Sequence, residues 1–199
     1  MKIGVIDYGM GNLYSVEQAL LRLGADVVVT SDVAELDASD ALVLPGVGAF
    51  PDAMERLAEL GLTNYVCKTK KPLLGICLGM QLMFESSEEV RETSGLGIFK
   101  GQIKRFEGVS RVPHMGWNEL VFTNGEQVGD GYVYFVHSFY GDELDSSELV
   151  AYAEYEGVQV PAVVAKDNFT GMQFHPEKSS AVGIALLKQW MEKAGATVC

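Results

Sequence analysis

The sequence predicts an α/β fold, with a mixed, largely parallel sheet covered by helices on both faces and an antiparallel β-rich segment added to it. Three observations carry that expectation. Short apolar runs alternate with stretches of helical spacing through the first part of the chain. Glycine-bearing loops, YGMGN, PGVGAF and GICLGMQ, end three of those runs, where a doubly wound sheet places its ligand-binding loops. Residues 98–174 then hold short β-rich runs divided by Gly, Asn and Asp turns, the pattern of antiparallel strands.

Residues 2–7 (KIGVID) read as a strand ending in the YGMGN turn, and residues 13–23 place Leu13, Val16, Leu20 and Leu23 at helical spacing behind a capping Asn12. VVVT at 27–30 and ALVL at 41–44 are strands, the second halted by Pro45-Gly46. Helices are expected at about 51–60 and 63–69, then a strand PLLGI and a helix from Leu78 to about Phe84. In the β-rich middle, IFKGQIKRF, GYVYFVHSF, LVAYAEY, VPAVVAK and FTGMQF read as strands added to the parallel sheet or lying beside it. Beyond HPEKSS, Val182, Ala185, Leu186, Gln189 and Trp190 mark a closing helix. No repeat, low-complexity stretch or linker interrupts the 199 residues, so one domain over 1–199 is expected.

A net charge of −12 and a pI near 4.6 argue against nucleic acid or an anionic membrane as partner, because both require a basic face. The opening MKIGVIDYG has too short an apolar run for a secretory signal, and no later stretch approaches the roughly 20 apolar residues of a membrane span, so a cytoplasmic protein is expected. Cys67, Cys77 and Cys199 lack a C-x-x-C spacing, and His114, His137 and His175 lack a metal-type spacing. Neither a metal nor another cofactor is expected. Gly9-Met10-Gly11 begins like a dinucleotide fingerprint, but Tyr14 stands where its third glycine belongs, so a tight turn into a helix is the better reading.

The chemistry centres on Cys77. A lone cysteine after an apolar run is commonly a small buried hydrophobe. Gly75-Ile76-Cys77-Leu78-Gly79, however, fits the elbow that exposes a nucleophile at a sharp strand-to-helix turn. The helix starting at Leu78 would aim free N–H groups at the sulfur and favour the thiolate, and the Leu78 N–H would become an oxyanion donor. A thiolate nucleophile needs a base and an orienting group. His175 and Glu177 in FHPEK supply both if an extended backbone through Pro176 points the two side chains the same way. The plain alternative is a surface His and Glu at a helix start.

GICLGMQ with the distant FHPE resembles the class I (triad) glutamine amidotransferases, whose glutaminase domains use a Cys-His-Glu triad on a mixed α/β sheet. IDYGMGN, LPGVGAF and VPHMGWN, with HPEKS at the triad, are similar to the glutaminase subunits of imidazole glycerol phosphate synthases in histidine biosynthesis, and the likeness covers essentially the whole chain. That resemblance implies that Cys77 attacks the side-chain carboxamide of glutamine. His175, held by Glu177, then protonates the departing ammonia and activates water against the thioester. It places Val47, Gly48 and Leu78 at the oxyanion hole, with the PGVG peptide reorienting to bring the Val47 N–H into place. Gly46, Gln81, His137, Ser138 and Phe139 fall at substrate-binding positions, and Asn12, Met115, Trp117, Asn118 and Lys178 at a partner interface. The implied partner is a (β/α)8 cyclase in a 1:1 heterodimer, which receives the ammonia and makes imidazole glycerol phosphate and AICAR, with low glutaminase activity when the subunit is alone.

Without the elbow, Gln81 reads as an ordinary helix residue, His137 as a satisfied strand histidine and Trp117 as core. Two other readings stay open at this point. One is the glutaminase of a different synthase, of the pyridoxal phosphate or anthranilate type. The other is a non-catalytic regulatory subunit of the same fold, against which the intact Cys77, His175 and Glu177 count.

Overall fold

The computed structural model describes residues 1–198, with side chains through residue 195; Cys199 lies outside the described residues. Its first part alternates as expected: β1 (Lys2–Ile6), α1 (Leu13–Arg22), β2 (Asp26–Thr30), α2 (Val33–Asp37), β3 (Ala41–Leu44), α3 (Phe50–Glu59), α4 (Leu62–Lys68), β4 (Leu73–Ile76) and α5 (Leu78–Gln81). Helix α1 buries Val16, Ala19 and Leu20, the stripe that its spacing implies. Asn12 does sit at its N-cap, yet its side chain makes no capping bond there. Between α3 and α4 the chain turns at Gly61, whose φ of +69° is one that glycine adopts without steric cost.

Two local expectations fail for identifiable reasons. Helix α2 was not foreseen, since its five residues are too few to show a helical period; Asp32 starts it by accepting from the Ala34 N–H at 2.8 Å. Helix α5 ends at Gln81 rather than near Phe84. Beyond it, Met83 and Phe84 donate to Met80 and Gln81, three residues back, so the turn tightens and the helix stops.

The second part continues through β5 (Ser86–Ser87), β6 (Thr93–Ser94), β7 (Gln102–Arg105), β8 (His114–Glu119), β9 (Val121–Phe122), β10 (Tyr132–His137), β11 (Phe139–Asp142), β12 (Leu149–Tyr155), β13 (Val158–Lys166) and β14 (Phe169–Met172). A 3-10 turn over Pro176–Lys178 leads into α6 (Ser180–Val198). The main sheet has eight strands in the order β2-β1-β3-β4-β14-β13-β12-β9. From β2 to β14 the neighbours run parallel, and β13, β12 and β9 extend the edge antiparallel. Both alternatives for the middle segment therefore hold. Part of it extends the sheet, while β10-β8 and β11-β7-β5-β6 form two smaller sheets beside it.

Two buried clusters cover the faces of the main sheet. One joins Ile3, Val5 and Ile76 to Leu20 of α1 and Leu187 and Trp190 of α6; the other joins Ile6, Leu42 and Leu73 to Leu57 of α3 and Val66 of α4. Among the described residues, no helix is long and apolar enough to cross a membrane.

Candidate active site

Three adjacent parallel strands, β3, β4 and β14, end side by side, with Leu44 opposite Gly75 and Ile76 opposite Met172. Their carboxyl ends lead respectively into PGVG, Cys77 and the Gln173–His175 stretch, so residues far apart in sequence share one rim. A cleft of about 390 Å³ opens there, lined by Val47, Gly48, Cys77, Leu78, Gln81, His137, Ser138, Phe139, His175 and Lys178 among others. Those ten are all residues the sequence marks for the site or its rim.

Cys77 sits at the turn with φ 53° and ψ −112°, a left-handed backbone that a non-glycine residue holds only at a cost in strain. Its N–H donates to the Met172 carbonyl at 2.8 Å, and the side chain is nearly covered, at 7% exposure. The elbow's two glycines serve packing rather than the bend itself. They need not bend the chain, because Cys77 itself carries the positive φ; they allow close approach. A Cβ on Gly79 would lie 1.8 Å from the Leu44 carbonyl oxygen, and one on Gly75 would lie 2.7 Å from the Gly79 oxygen. With one turn only, α5 also brings a smaller dipole to the sulfur than a long helix would.

His175 Nδ1 lies 2.8 Å from Glu177 Oε1, with both side chains buried. The pairing was expected through an extended Pro176; instead, the chain enters the 3-10 turn, and the Lys178 N–H donates to the His175 carbonyl at 3.0 Å. The His175 backbone is anchored on β10 by its N–H to the Tyr134 carbonyl at 3.1 Å, while the Ser179 hydroxyl donates to the His175 carbonyl at 2.6 Å. Burial alone would hold the imidazole pKa down. A hydrogen bond with Cys77, that with Glu177 and the charges of both outweigh burial and lift it to about 9. Cys77 and Glu177 thus act on one imidazole, Glu177 through a hydrogen bond at 2.8 Å, and together favour its cation.

The oxyanion stretch divides in two. Gly46 is buried beneath the cleft, where a Cβ would lie 2.7 Å from the Tyr8 hydroxyl and 2.8 Å from the Gly79 nitrogen. Val47, by contrast, is 41% exposed, and Gly48 has φ +107°. Gly46 therefore packs rather than lines the cleft, and of the two glycines only Gly48 holds a φ that favours glycine.

Three other placements correct the expectation. Neither ring nitrogen of His137 is free for a substrate: Nδ1 lies 2.8 Å from the Phe139 carbonyl oxygen and Nε2 lies 3.0 Å from His114 Nδ1. Burial lowers the His137 pKa to about 3 and the His114 pKa to about 4, so both stay neutral near pH 7. Gln81 lines the cleft, but its amide nitrogen is committed to the Phe139 carbonyl at 2.8 Å and to Gln173 Oε1 at 3.0 Å, leaving only its own oxygen for a ligand. On β8, Met115 and Trp117 face outward at 65% and 52% exposure. Asn118 turns inward, its amide donating to the Glu154 carbonyl at 2.9 Å, so its side chain does not face a partner. Asn12 is half-buried and Lys178 exposed at the rim.

Four residues went unnoticed in the sequence. Glu89 puts a half-buried carboxylate on the cleft, its Oε2 accepting from the Phe50 N–H at 2.8 Å. Tyr8 donates its hydroxyl to the Pro45 carbonyl at 2.9 Å and steadies the base of PGVG. His114 stacks on Phe135 and Tyr155 behind His137. Gln173, wholly buried, brings its Nε2 within 3.9 Å of Cys77 Sγ. Its position beside the FHPE motif was the one available signal.

A model of the family "Glutamine amidotransferase class-I" matches residues 4–194. The chain is 50% identical over 202 residues to "Imidazole glycerol phosphate synthase subunit HisH" of Geobacillus thermodenitrificans, covering 95% of this chain and 94% of that protein. It is 53% identical to the protein of the same name from Exiguobacterium sibiricum, covering 96% and 94%. Among solved structures it is similar to a crystal structure of a glutamine amidotransferase, with TM-score 0.78, 22% identity and coverage of 97% and 98%, a likeness of fold.

Proposed function

This chain belongs to the class-I glutamine amidotransferase family, and from that premise we propose that it is the glutaminase subunit of an imidazole glycerol phosphate synthase, hydrolysing glutamine and passing the ammonia to a cyclase subunit in histidine biosynthesis. The observation that carries the chemistry is the strained Cys77 on the same cleft as a His175 whose imidazole is held on Glu177 at 2.8 Å.

In this reading the Cys77 thiolate attacks the carboxamide carbon of glutamine, and the negative charge moves to the carboxamide oxygen. The N–H groups of Leu78 and, once the PGVG peptide is turned inward, Val47 hold that oxyanion. The His175 imidazolium gives its proton to the nitrogen as the C–N bond breaks, so ammonia leaves and a glutamyl thioester remains. Now neutral, His175 takes a proton from water while the hydroxyl adds to the thioester carbon. The C–S bond breaks with its electron pair on sulfur, releasing glutamate and restoring the thiolate–imidazolium pair. Glu177 keeps the imidazole oriented throughout and balances its charge.

At the amino-acid end of the substrate, Glu89 offers a carboxylate for the α-ammonium, and Ser138 with the backbone about it completes the subsite. The exposed Met115 and Trp117, with Asn12 and Lys178, mark the face for a (β/α)8 cyclase in a 1:1 complex, which uses the ammonia to form imidazole glycerol phosphate and AICAR. One domain over 1–199 and a cytoplasmic site complete the proposal. The exposure and φ of Gly48 support a gated oxyanion hole, with low activity alone and a higher rate in the complex. Glutamate release by the reconstituted complex tests the proposal: Cys77→Ala should abolish it and block trapping by a glutamine-like diazo ketone, and a variant that retains the wild-type rate would refute the nucleophile.

A further inference from the structure

We infer that Gln173 is a catalytic group that donates a hydrogen bond to the Cys77 sulfur and favours its thiolate, an assignment that rests on the reading of Cys77 as nucleophile. The Gln173 carboxamide is wholly buried, with its nitrogen 3.9 Å from Sγ. Taken alone the contact is ambiguous, because a carboxamide turned end over end presents its oxygen instead. The hydrogen bonds around it remove that ambiguity.

A carbonyl oxygen only accepts. The Phe139 carbonyl lies 2.8 Å from the Gln81 amide and 2.8 Å from His137 Nδ1, so both of these atoms carry hydrogen. Gln81 therefore directs its second N–H at Gln173, 3.0 Å away, and the atom that meets it is an acceptor, Oε1. The opposite end of the Gln173 carboxamide, facing the sulfur, is NH2.

A second carbonyl fixes the tautomers of two histidines, of which His137 shares the Phe139 oxygen with Gln81. The Glu154 oxygen, 2.9 Å from the Asn118 amide, fixes that atom as NH2, which lies 3.4 Å from His114 Nε2. His114 Nε2 is then bare and its Nδ1 protonated. It donates to His137 Nε2 at 3.0 Å, which leaves His137 Nδ1 to carry the hydrogen given to Phe139. Two carbonyls at opposite ends of the chain Asn118–His114–His137 thus agree on every proton of that chain, while the orientation of Gln173 follows from the Phe139 carbonyl through Gln81. These side chains are well packed: Gln81, His114 and His137 are all buried.

An N–H donor strengthens its bond when the sulfur becomes an anion, so the contact favours thiolate over thiol. It weakens as the sulfur gives its electron pair to the carboxamide carbon, and it forms again when the thioester C–S bond breaks and the pair returns to sulfur. Gln173 thereby also improves the sulfur as leaving group in hydrolysis of the thioester.

The test is the pH dependence of Cys77 alkylation by iodoacetamide in the full chain, read from the mass of the Cys77 peptide, with thermal unfolding as a check on the fold. Gln173→Met, similar in shape but without a donor, should raise the midpoint of the thiolate titration by about one unit. Gln173→Glu, which can still accept from Gln81 but sets a carboxylate against the sulfur, should raise it further. A wild-type profile in a folded Gln173→Glu overturns the assignment and leaves Gln173 holding Gln81 alone; this variant decides the matter if Gln173→Met does not fold. Glutamine hydrolysis by a protein whose Cys77 is not alkylated at any pH would instead overturn the reading of Cys77 as nucleophile.

Discussion

The elbow at Cys77 and the PGVG stretch beside it face the same cleft but are held in opposite ways. At the elbow, Gly79 lies against the Leu44 carbonyl with no room for a methyl group, and the Cys77 N–H is tied to β14. Next to it the Tyr8 hydroxyl holds the Pro45 carbonyl and Gly46 is wedged in place, yet one residue further Val47 and Gly48 are exposed. Rigidity therefore stops within PGVG, between its first and second glycine. In the proposed mechanism the nucleophile is then fixed by the fold, whereas the second oxyanion donor sits on the exposed part of the stretch. Such a division lets a partner control the rate without touching the triad.

The contrast can be broken first at its rigid side. Gly79→Ala would set a methyl 1.8 Å from a backbone oxygen of β3, a clash that no side-chain rotation relieves. A loss of at least about 4 kcal/mol is expected, seen in thermal unfolding as a fall of order 10 °C or as failure to fold. An alanine variant that melts like the wild type would mean that the elbow is not held by this contact.

Glu177→Gln comes next. It keeps the shape but removes a charge that, after Cys77, holds the imidazole proton against the pull of burial. With the His175 pKa at about 9, activity should fall on the alkaline side as the imidazolium loses its proton near that pH. In the variant the imidazole pKa drops, so the alkaline limb should move to lower pH and kcat should fall about 100-fold. A pH–rate profile of the complex checks both; an unmoved limb would separate Glu177 from the proton transfer.

On the loose side effects should be smaller and confined to rate. Gly48→Ala imposes a left-handed φ of +107° on a residue with a Cβ and brings that atom 2.8 Å from the flexible end of Met10. A penalty of about 1–2 kcal/mol falls on the conformation rather than on the core, so kcat should drop about tenfold with little change in melting. Tyr8→Phe removes one buried hydrogen bond, worth about 1 kcal/mol, and leaves the Pro45 carbonyl without its donor. We expect a fewfold change in the ratio of glutaminase rates with and without the cyclase, measured as glutamate release.

Strands β1 to β4 and helices α1, α3 and α4 were legible because their apolar spacing is complete, and Gly24, Pro45 and Gly61 mark where α1, β3 and α3 stop. HMGWNE was not read as a strand. Gly116 and Asn118 interrupt its apolar alternation, and pairing with β10 supplies what local propensity lacks. Within the site, Cys77, His175 and Glu177 stood out through their unusual neighbours. Gln173 did not, because a buried glutamine in a strand is recognised only by what surrounds it in space. The role expected of His137 had to be revised for the same reason: no spacing in the chain shows that His114 lies across from it and occupies its second nitrogen.

The positive φ at Cys77 has a consequence for the protein before it is folded. No local signal in GICLG holds that torsion: it depends on Gly79 seated against β3, on the Met172 carbonyl of β14, and on a His175 whose backbone is fastened to β10. Until those elements have met, Cys77 has no imidazole beside it and behaves as an unremarkable thiol. Assembly of the sheet acts as a safety catch, and a nascent or damaged chain does not carry an armed nucleophile.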